Sequence, residues 1–321
     1  MKRFFAVFLC LAFLATCSSS LYGCAKLPSN EGFTIVATMF PQYDFAREIA
    51  GDRANVELLL DFGADAHSYD PTPEDVMKIA RADLFIYTGD DMELWAKKLL
   101  ECEDVSRAIS SGSLRVLDLS KYVSLLDMHE HDHGEGVSAH EHDHDCEYDT
   151  HIWTSVSNAG LMCDAITDAI CDIDADGEAY YRANLANYKE QLLGLATDFS
   201  NLCVGARLDE AFFGGSFAFR YMFEELQIGY HSIFEGCSSH AEASAADIIS
   251  LSDEIKATGA KYVLYDSPSE KKIADAVAAE CGVEVLHLHA IHNITKAEFE
   301  SGETYISLMR KNIETLGKAL S

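Results

Sequence analysis

The sequence predicts an α/β protein of two lobes, each built on a parallel sheet, with one long rigid linking helix between them. Two observations carry that prediction. Eight short apolar runs alternate with helical patterns along the chain, the order that builds βαβ units and parallel sheets. Between the fourth and fifth runs, Tyr181, Leu185, Tyr188, Leu192, Leu195, Phe199 and Leu202 recur at intervals of 4, 3, 4, 3, 4 and 3. That spacing draws one apolar stripe along a helix of about 26 residues, ~39 Å long at a rise of ~1.5 Å per residue. A coiled-coil dimerisation helix would need more heptads and patterned flanking charges, which this segment lacks.

Taken in order, residues 1–23 read as a secretory signal. Lys2 and Arg3 precede an apolar run from Phe4 to Cys17, shorter than the ~20 residues of a membrane-spanning helix. The run ends in Leu21-Tyr22-Gly23-Cys24, which resembles the bacterial lipobox. Cleavage before Cys24 and lipidation of its thiol would tether the protein to the membrane on its extracytoplasmic side. Residues 24–32 then form a short tether. The first lobe is expected over 33–177, with strands at 33–38, 55–60, 83–88 and 114–119 and helices at 43–49, 73–81 and 91–100. Thr72-Pro73-Glu74-Asp75 marks one helix start: a capping Thr, Pro at the first helical position and an acid three residues after the cap. The linking helix takes 178–203. The second lobe takes 204–321, with strands at 210–213, 229–234, 261–265 and 284–289 and a helix at 246–258.

One segment fits no packed element. Residues 127–149 hold six histidines (His129, His131, His133, His140, His142 and His144), nine acidic residues and no lysine or arginine. So few apolar groups cannot anchor it to a core. Imidazole nitrogens beside carboxylate oxygens suit borderline divalent ions, zinc above all, and the negative field concentrates cations. The segment is expected to be a low-affinity metal loop. His129-Glu130-His131-Asp132-His133 and His140-Glu141-His142-Asp143-His144 both match the metalloprotease pattern H-E-x-x-H. That pattern works only on a buried helix, however, and Gly134 and Gly136 interrupt a segment with no apolar stripe.

The formal net charge is −29, and losing residues 1–23 with Lys2 and Arg3 takes it to −31. This excludes nucleic acid as a partner, because such binding needs Lys and Arg to neutralise phosphates. It suits a collector of cations. Of the ten cysteines, Cys10 and Cys17 leave with the signal and Cys24 takes the lipid. The remaining seven, with no C-x-x-C, form neither a zinc ribbon nor a disulfide framework.

Longer motifs carry a resemblance. Thr38-Met39-Phe40-Pro41, the run from Gly63 to Pro73 around Ala66-His67-Ser68, His151-Ile152-Trp153-Thr154-Ser155, and Gly302-Glu303-Thr304-Tyr305 running on to Asn312 resemble the zinc- and manganese-type solute-binding proteins of ATP-binding-cassette importers. The resemblance covers nearly the whole mature chain. It implies extracytoplasmic capture of a divalent metal, delivery to an importer permease, and no catalysis.

The resemblance also implies ligands. His67 and His151 match the family's first two histidines; His67 lies beyond the second strand, where ligands of parallel sheets bind, and His151 follows the His-rich loop. Trp153 is placed to anchor the His151 ring. The family's third histidine falls on Ser216, a poor zinc ligand. Asp266 matches an acidic position of relatives, although it could equally cap the helix after it. His292, in the loop after the last strand, is the candidate for the missing nitrogen, with His289 orienting it. His231 and His240 are weaker candidates. Manganese or iron is the alternative cargo; three imidazoles and a carboxylate favour zinc. A zinc-dependent hydrolase would need an open coordination position beside a general base, and no such constellation is found.

Overall fold

The computed structural model describes residues 32–128, 147–234 and 243–321. Cys24, the six loop histidines from His129 to His144, and Cys146, Cys237 and His240 lie outside the described residues.

Four short strands make the first sheet: β1 (Phe33–Ala37), β2 (Ala54–Leu58), β3 (Leu84–Tyr87) and β4 (Arg115–Asp118). All pair parallel, in the order β2-β1-β3-β4. The second sheet repeats the plan with β5 (Glu210–Phe213), β6 (Gly229–Ser232), β7 (Tyr262–Tyr265) and β8 (Glu284–His287), in the order β6-β5-β7-β8. Parallel sheets are covered on both faces, which is why Leu84-Phe85-Ile86-Tyr87 is buried at every position. In each sheet the strand order reverses beside the first strand, and the carboxyl ends at such a switch point are where parallel sheets bind ligands.

The helices follow from local signals. α1 (Phe40–Ala50) starts three residues ahead of the expected 43, because Pro41 falls in the first turn, where no intrahelical N–H is needed. α2 (Pro73–Arg81) is closed by the expected capping box between Thr72 and Asp75, with the Tyr69 hydroxyl donating to the same carboxylate at 2.8 Å. α3 (Leu94–Leu100) begins later than the expected 91. Its cap residue Glu93 turns inward instead and, wholly buried, accepts from Thr38 Oγ1, Thr88 N and Gly89 N. Burial pushes its carboxyl up to about 7 against those bonds. This one side chain joins the carboxyl ends of β1 and β3. α4 (Glu103–Ser111) and α5 (Val156–Ile173) complete the first half.

The linking helix α6 (Glu178–Gly205) has 28 residues, two more than the stripe predicts. Tyr181, Leu185, Tyr188, Leu192, Leu195 and Phe199 are its buried face. It packs on α1 and α5 of the first half and on α7 (Arg220–Leu226) and α11 (Tyr305–Ala319) of the second. α8 (Ala245–Thr258) and α9 (Lys271–Cys281) cover one face of the second sheet, while the short α10 (Lys296–Glu300) sets Phe299 against Tyr43 and Phe62 of the first half. Strand alternation divides its burial. Phe213 and Leu264 face the main core that runs through both halves, while Phe212 and Val263 join Leu251, Ile255 and Val277 in a smaller cluster under α8 and α9.

The C-terminal motif earns its place here. Thr304 caps α11, the Tyr305 N–H donates to buried Asp44 Oδ2 at 2.8 Å, and the Tyr305 hydroxyl donates to the Trp153 carbonyl at 2.7 Å. The last helix is thereby fastened to the first half. Among the described residues no helix is long and apolar enough to cross a membrane.

Candidate metal centre

Three histidines approach one another beyond the strand ends. His67 sits in the β2–α2 connection. Asp65 Oδ1 accepts its N–H at 3.0 Å, and Trp95 Nε1 donates to the neighbouring Ala66 carbonyl at 2.9 Å, which fixes the loop from both sides. His151 precedes α5 and is buried, as is Asp149 two residues before it. Asp149 Oδ1 accepts both the His151 N–H, at 2.8 Å, and ring Nδ1, at 3.0 Å. With the Nδ1 proton on the carboxylate side, Nε2 is the unprotonated nitrogen, the tautomer a metal ligand needs. Burial alone would raise the Asp149 carboxyl, but His151, by charge and by both hydrogen bonds, and Arg220 outweigh it and hold the group low. Trp153 meets the His151 ring edge-on at 5.4 Å, the anchoring role its position suggested.

The His67 and His151 ring centroids are 5.7 Å apart. Two imidazoles sharing one tetrahedral zinc, with bonds of ~2.0–2.1 Å, place their centroids about 5 Å apart. His292 lies within the electrostatic reach of both. Burial, then the neighbouring His151, His67 and His289, push its pKa down to about 3, with Asp65 acting in the opposite sense. Among the described residues no three His, Cys, Asp or Glu side chains are converged on one point as they stand.

The main chain beside His292 is strained. Ile291 has φ 62°, a left-handed conformation that costs a β-branched residue about 1–3 kcal/mol. Its N–H donates to His289 Nδ1 at 2.9 Å. That bond puts the His289 proton on Nε2, which faces Glu298 Oε1 at 3.5 Å, and the His289 contact is the main reason Glu298 is pulled down to about 2. His289 is thus engaged at both nitrogens and acts on the main chain next to His292.

The remaining candidates lie on the second half of the chain. Ser216 is buried, and its N–H and hydroxyl both donate to Glu270 Oε1, at 3.1 and 2.6 Å. Oε2 of Glu270 is buried with no hydrogen-bond partner, and a Cβ on Gly215 would lie 2.5 Å from it. A carboxylate therefore occupies the space beside the position of the missing histidine, and only glycine at 215 leaves room for it. Asp266 is buried at the end of β7, where its carbonyl is 3.2 Å from His287 Nε2. The helix-cap role for Asp266 is corrected by the structure: α9 starts at Lys271, and its cap residue is Glu270. His231 lies on edge strand β6 between Glu210 and Glu254, at 3.0 and 2.7 Å, stacked on Phe212. The sequence reading missed Asp149 as a partner of His151. A carboxylate two residues before a histidine, in Asp-Thr-His, was the available signal.

Comparison with known proteins gives this geometry a context. A family model described as "Zinc-uptake complex component A periplasmic" (ZnuA) matches residues 35–319. The chain belongs to this family. Among relatives, the zinc-binding lipoprotein AdcA of Streptococcus pneumoniae is 31% identical over 312 residues, covering 96% of this chain. The chain spans only 58% of that relative's length. The high-affinity zinc uptake system protein ZnuA of Bacillus subtilis is 29% identical over 316 residues, 98% of this chain and 96% of the relative. The solved Zn(II)-bound ZnuA-like domain of S. pneumoniae AdcA superposes with a TM-score of 0.74 at 27% identity, over 90% of this chain and 99% of that domain. The metal-dependent lipoprotein YcdH of B. subtilis gives a TM-score of 0.75 at 27% identity, with the same coverage. The family is one of metal uptake, not of enzymes, and the hydrolase alternative is set aside.

The depressed His292 makes a pH prediction. In the unfolded chain histidine titrates near ~6.5, whereas His292 in the fold titrates at about 3. Between those values the unfolded chain binds the extra proton, so the contribution of His292 is present above ~6.5 and is lost as pH falls toward the folded value. Metal-free protein is expected to lose stability from pH 7 to pH 5, and His292→Gln to flatten that loss. Urea denaturation at the two pH values checks it; equal slopes for the two proteins would contradict the assignment.

Proposed function

We propose that the protein captures a zinc ion outside the cytoplasm, between its two halves, and delivers it to the permease of an ATP-binding-cassette importer. The observation that supports this best is the approach of His67 and His151, at 5.7 Å between ring centroids, with His292 in their field. His67, His151 and His292 supply the nitrogen donors. Asp266, at the carboxyl end of β7, supplies the oxygen. Three imidazoles and one carboxylate suit zinc better than manganese, which favours oxygen-rich sites. The zinc-binding names of the relatives agree with that choice.

In this reading His292 takes the part of the histidine absent at Ser216. His67→Ala, His151→Ala and His292→Ala should each lower zinc affinity by at least tens-fold, since each removes a metal–nitrogen bond. Competition titration against a chelator measures the loss, and a zinc-bound crystal structure identifies the ligands. A structure with His292 more than about 4 Å from the ion, against bonds of ~2.0–2.1 Å, would remove it from the site.

The loop from His129 to His144 is proposed to hold further zinc weakly, because its sequence offers imidazoles and carboxylates but few apolar groups to hold them in place. Deleting residues 129–144 should leave one tight site and abolish the weak ones in calorimetry. Loss of the tight site along with the loop would make the loop the main binding element and overturn the two-lobe reading.

Cys24 is proposed as the lipid-bearing residue that keeps the protein beside its permease. Cys24→Ser should appear in the soluble fraction of cells, because the acyl chains are the proposed hold on the bilayer. A variant that still sediments with membranes would refute the anchor.

A further inference from the structure

The segment that carries His292 follows the last strand of the second sheet, yet its hydrogen bonds run to the first half. Trp153 Nε1 donates to the Ala290 carbonyl at 2.8 Å. Phe40 N donates to the His292 carbonyl at 3.4 Å, and Gly63 N to that of Ile294 at 3.1 Å. Asn293 makes the centre of the seam. It is buried, and its Nδ2 donates to both the Asp61 and Ala64 carbonyls at 2.8 Å, while its Oδ1 accepts Ile294 N at 2.8 Å. An asparagine amide offers two donors and one acceptor group, and here all are used. Asp61 and Ala64 belong to the loop that leads into His67. Trp153 lies two residues after His151. The seam therefore grips His292's neighbours from both histidine-bearing loops of the first half.

We infer that Asn293 is the positioning residue of the metal site: it binds the His292 segment to the His67 loop, so that all three imidazoles are carried by the first half. The inference rests on the reading of His292 as a ligand. It assigns the second half a different part, since its carboxylates then meet an ion already held by three nitrogens. Asn293 touches no metal itself. It acts through the place it gives His292, as groups behind a ligand do when they fix its orientation.

The test is a double-mutant cycle on the full chain, with zinc as the probe. Asn293→Asp keeps the side-chain shape and removes both donors. It should lower zinc affinity by about 10–100-fold, the usual range for a group that orients a ligand. In the His292→Ala background it should cost almost nothing more, because the residue it positions is gone. Zinc-edge spectroscopy should count three imidazoles in the unmutated protein and two in Asn293→Asp. Asn293→Ala, read through the same cycle, covers the case in which a buried aspartate prevents folding. An equal loss in both backgrounds would mean a general structural role and overturn the proposal. So would three imidazoles at unchanged affinity in the Asn293 variants. Two imidazoles in the unmutated protein would instead remove His292 as a ligand, and this inference with it.

Discussion

The two halves meet through main-chain carbonyls that only the other half can satisfy. Trp153, wholly buried, donates its indole N–H to Ala290, and Tyr305 donates its hydroxyl to the carbonyl of Trp153 itself. A buried donor or acceptor left without a partner costs about 1–3 kcal/mol. Drawing the segments apart without water to replace these bonds would strand several such groups at once. The packing around them is equally shared: Phe45, Tyr188 and Tyr305 form edge-on ring contacts that join α1, α6 and α11. The His151 segment and the His292 loop take their places from this junction.

Much of the fold was legible because its elements are short and two-sided. A strand such as β3 shows as an uninterrupted apolar run with polar residues at each end, and the stripe on α6 repeats long enough to fix its length within two residues. The starts of α1 and α3 were misplaced for local reasons. Pro41 opens a helix where it reads as a break, and Glu93, which reads as the first turn of a helix, is withdrawn into the core to bind Thr38, Thr88 and Gly89.

The site was legible only in part. His67 and His151 were singled out by the motifs around them, and His292 by its place in the loop after the last strand. What surrounds them was not. Asp149 was hidden as one of nine acids in a segment whose composition suits no core, although it is buried and committed to His151. Glu270 gives no sign in the sequence that it reaches Ser216, 54 residues away. Nor does Asn293, an unremarkable loop residue until the carbonyls of Asp61 and Ala64 are seen beside it. Contacts of this range leave no periodicity to read. Electrostatics behaved likewise: the net charge of −29 announces a cation-collecting surface, while the His292 imidazole is kept neutral by burial and by its fellow histidines.

The seam at Asn293 joins residues 232 positions apart, and the bond from Tyr305 to Asp44 spans 261. Contacts of such separation form late, after long loops have been closed against their entropy. A chain emerging from its N-terminus can build the first sheet and present His67 and His151, but it has no third imidazole until nearly all of its residues are available. Maturation of the binding site is thereby coupled to completion of the polypeptide. A truncated or half-folded molecule would lack the seam that fastens the His292 loop to the His67 loop.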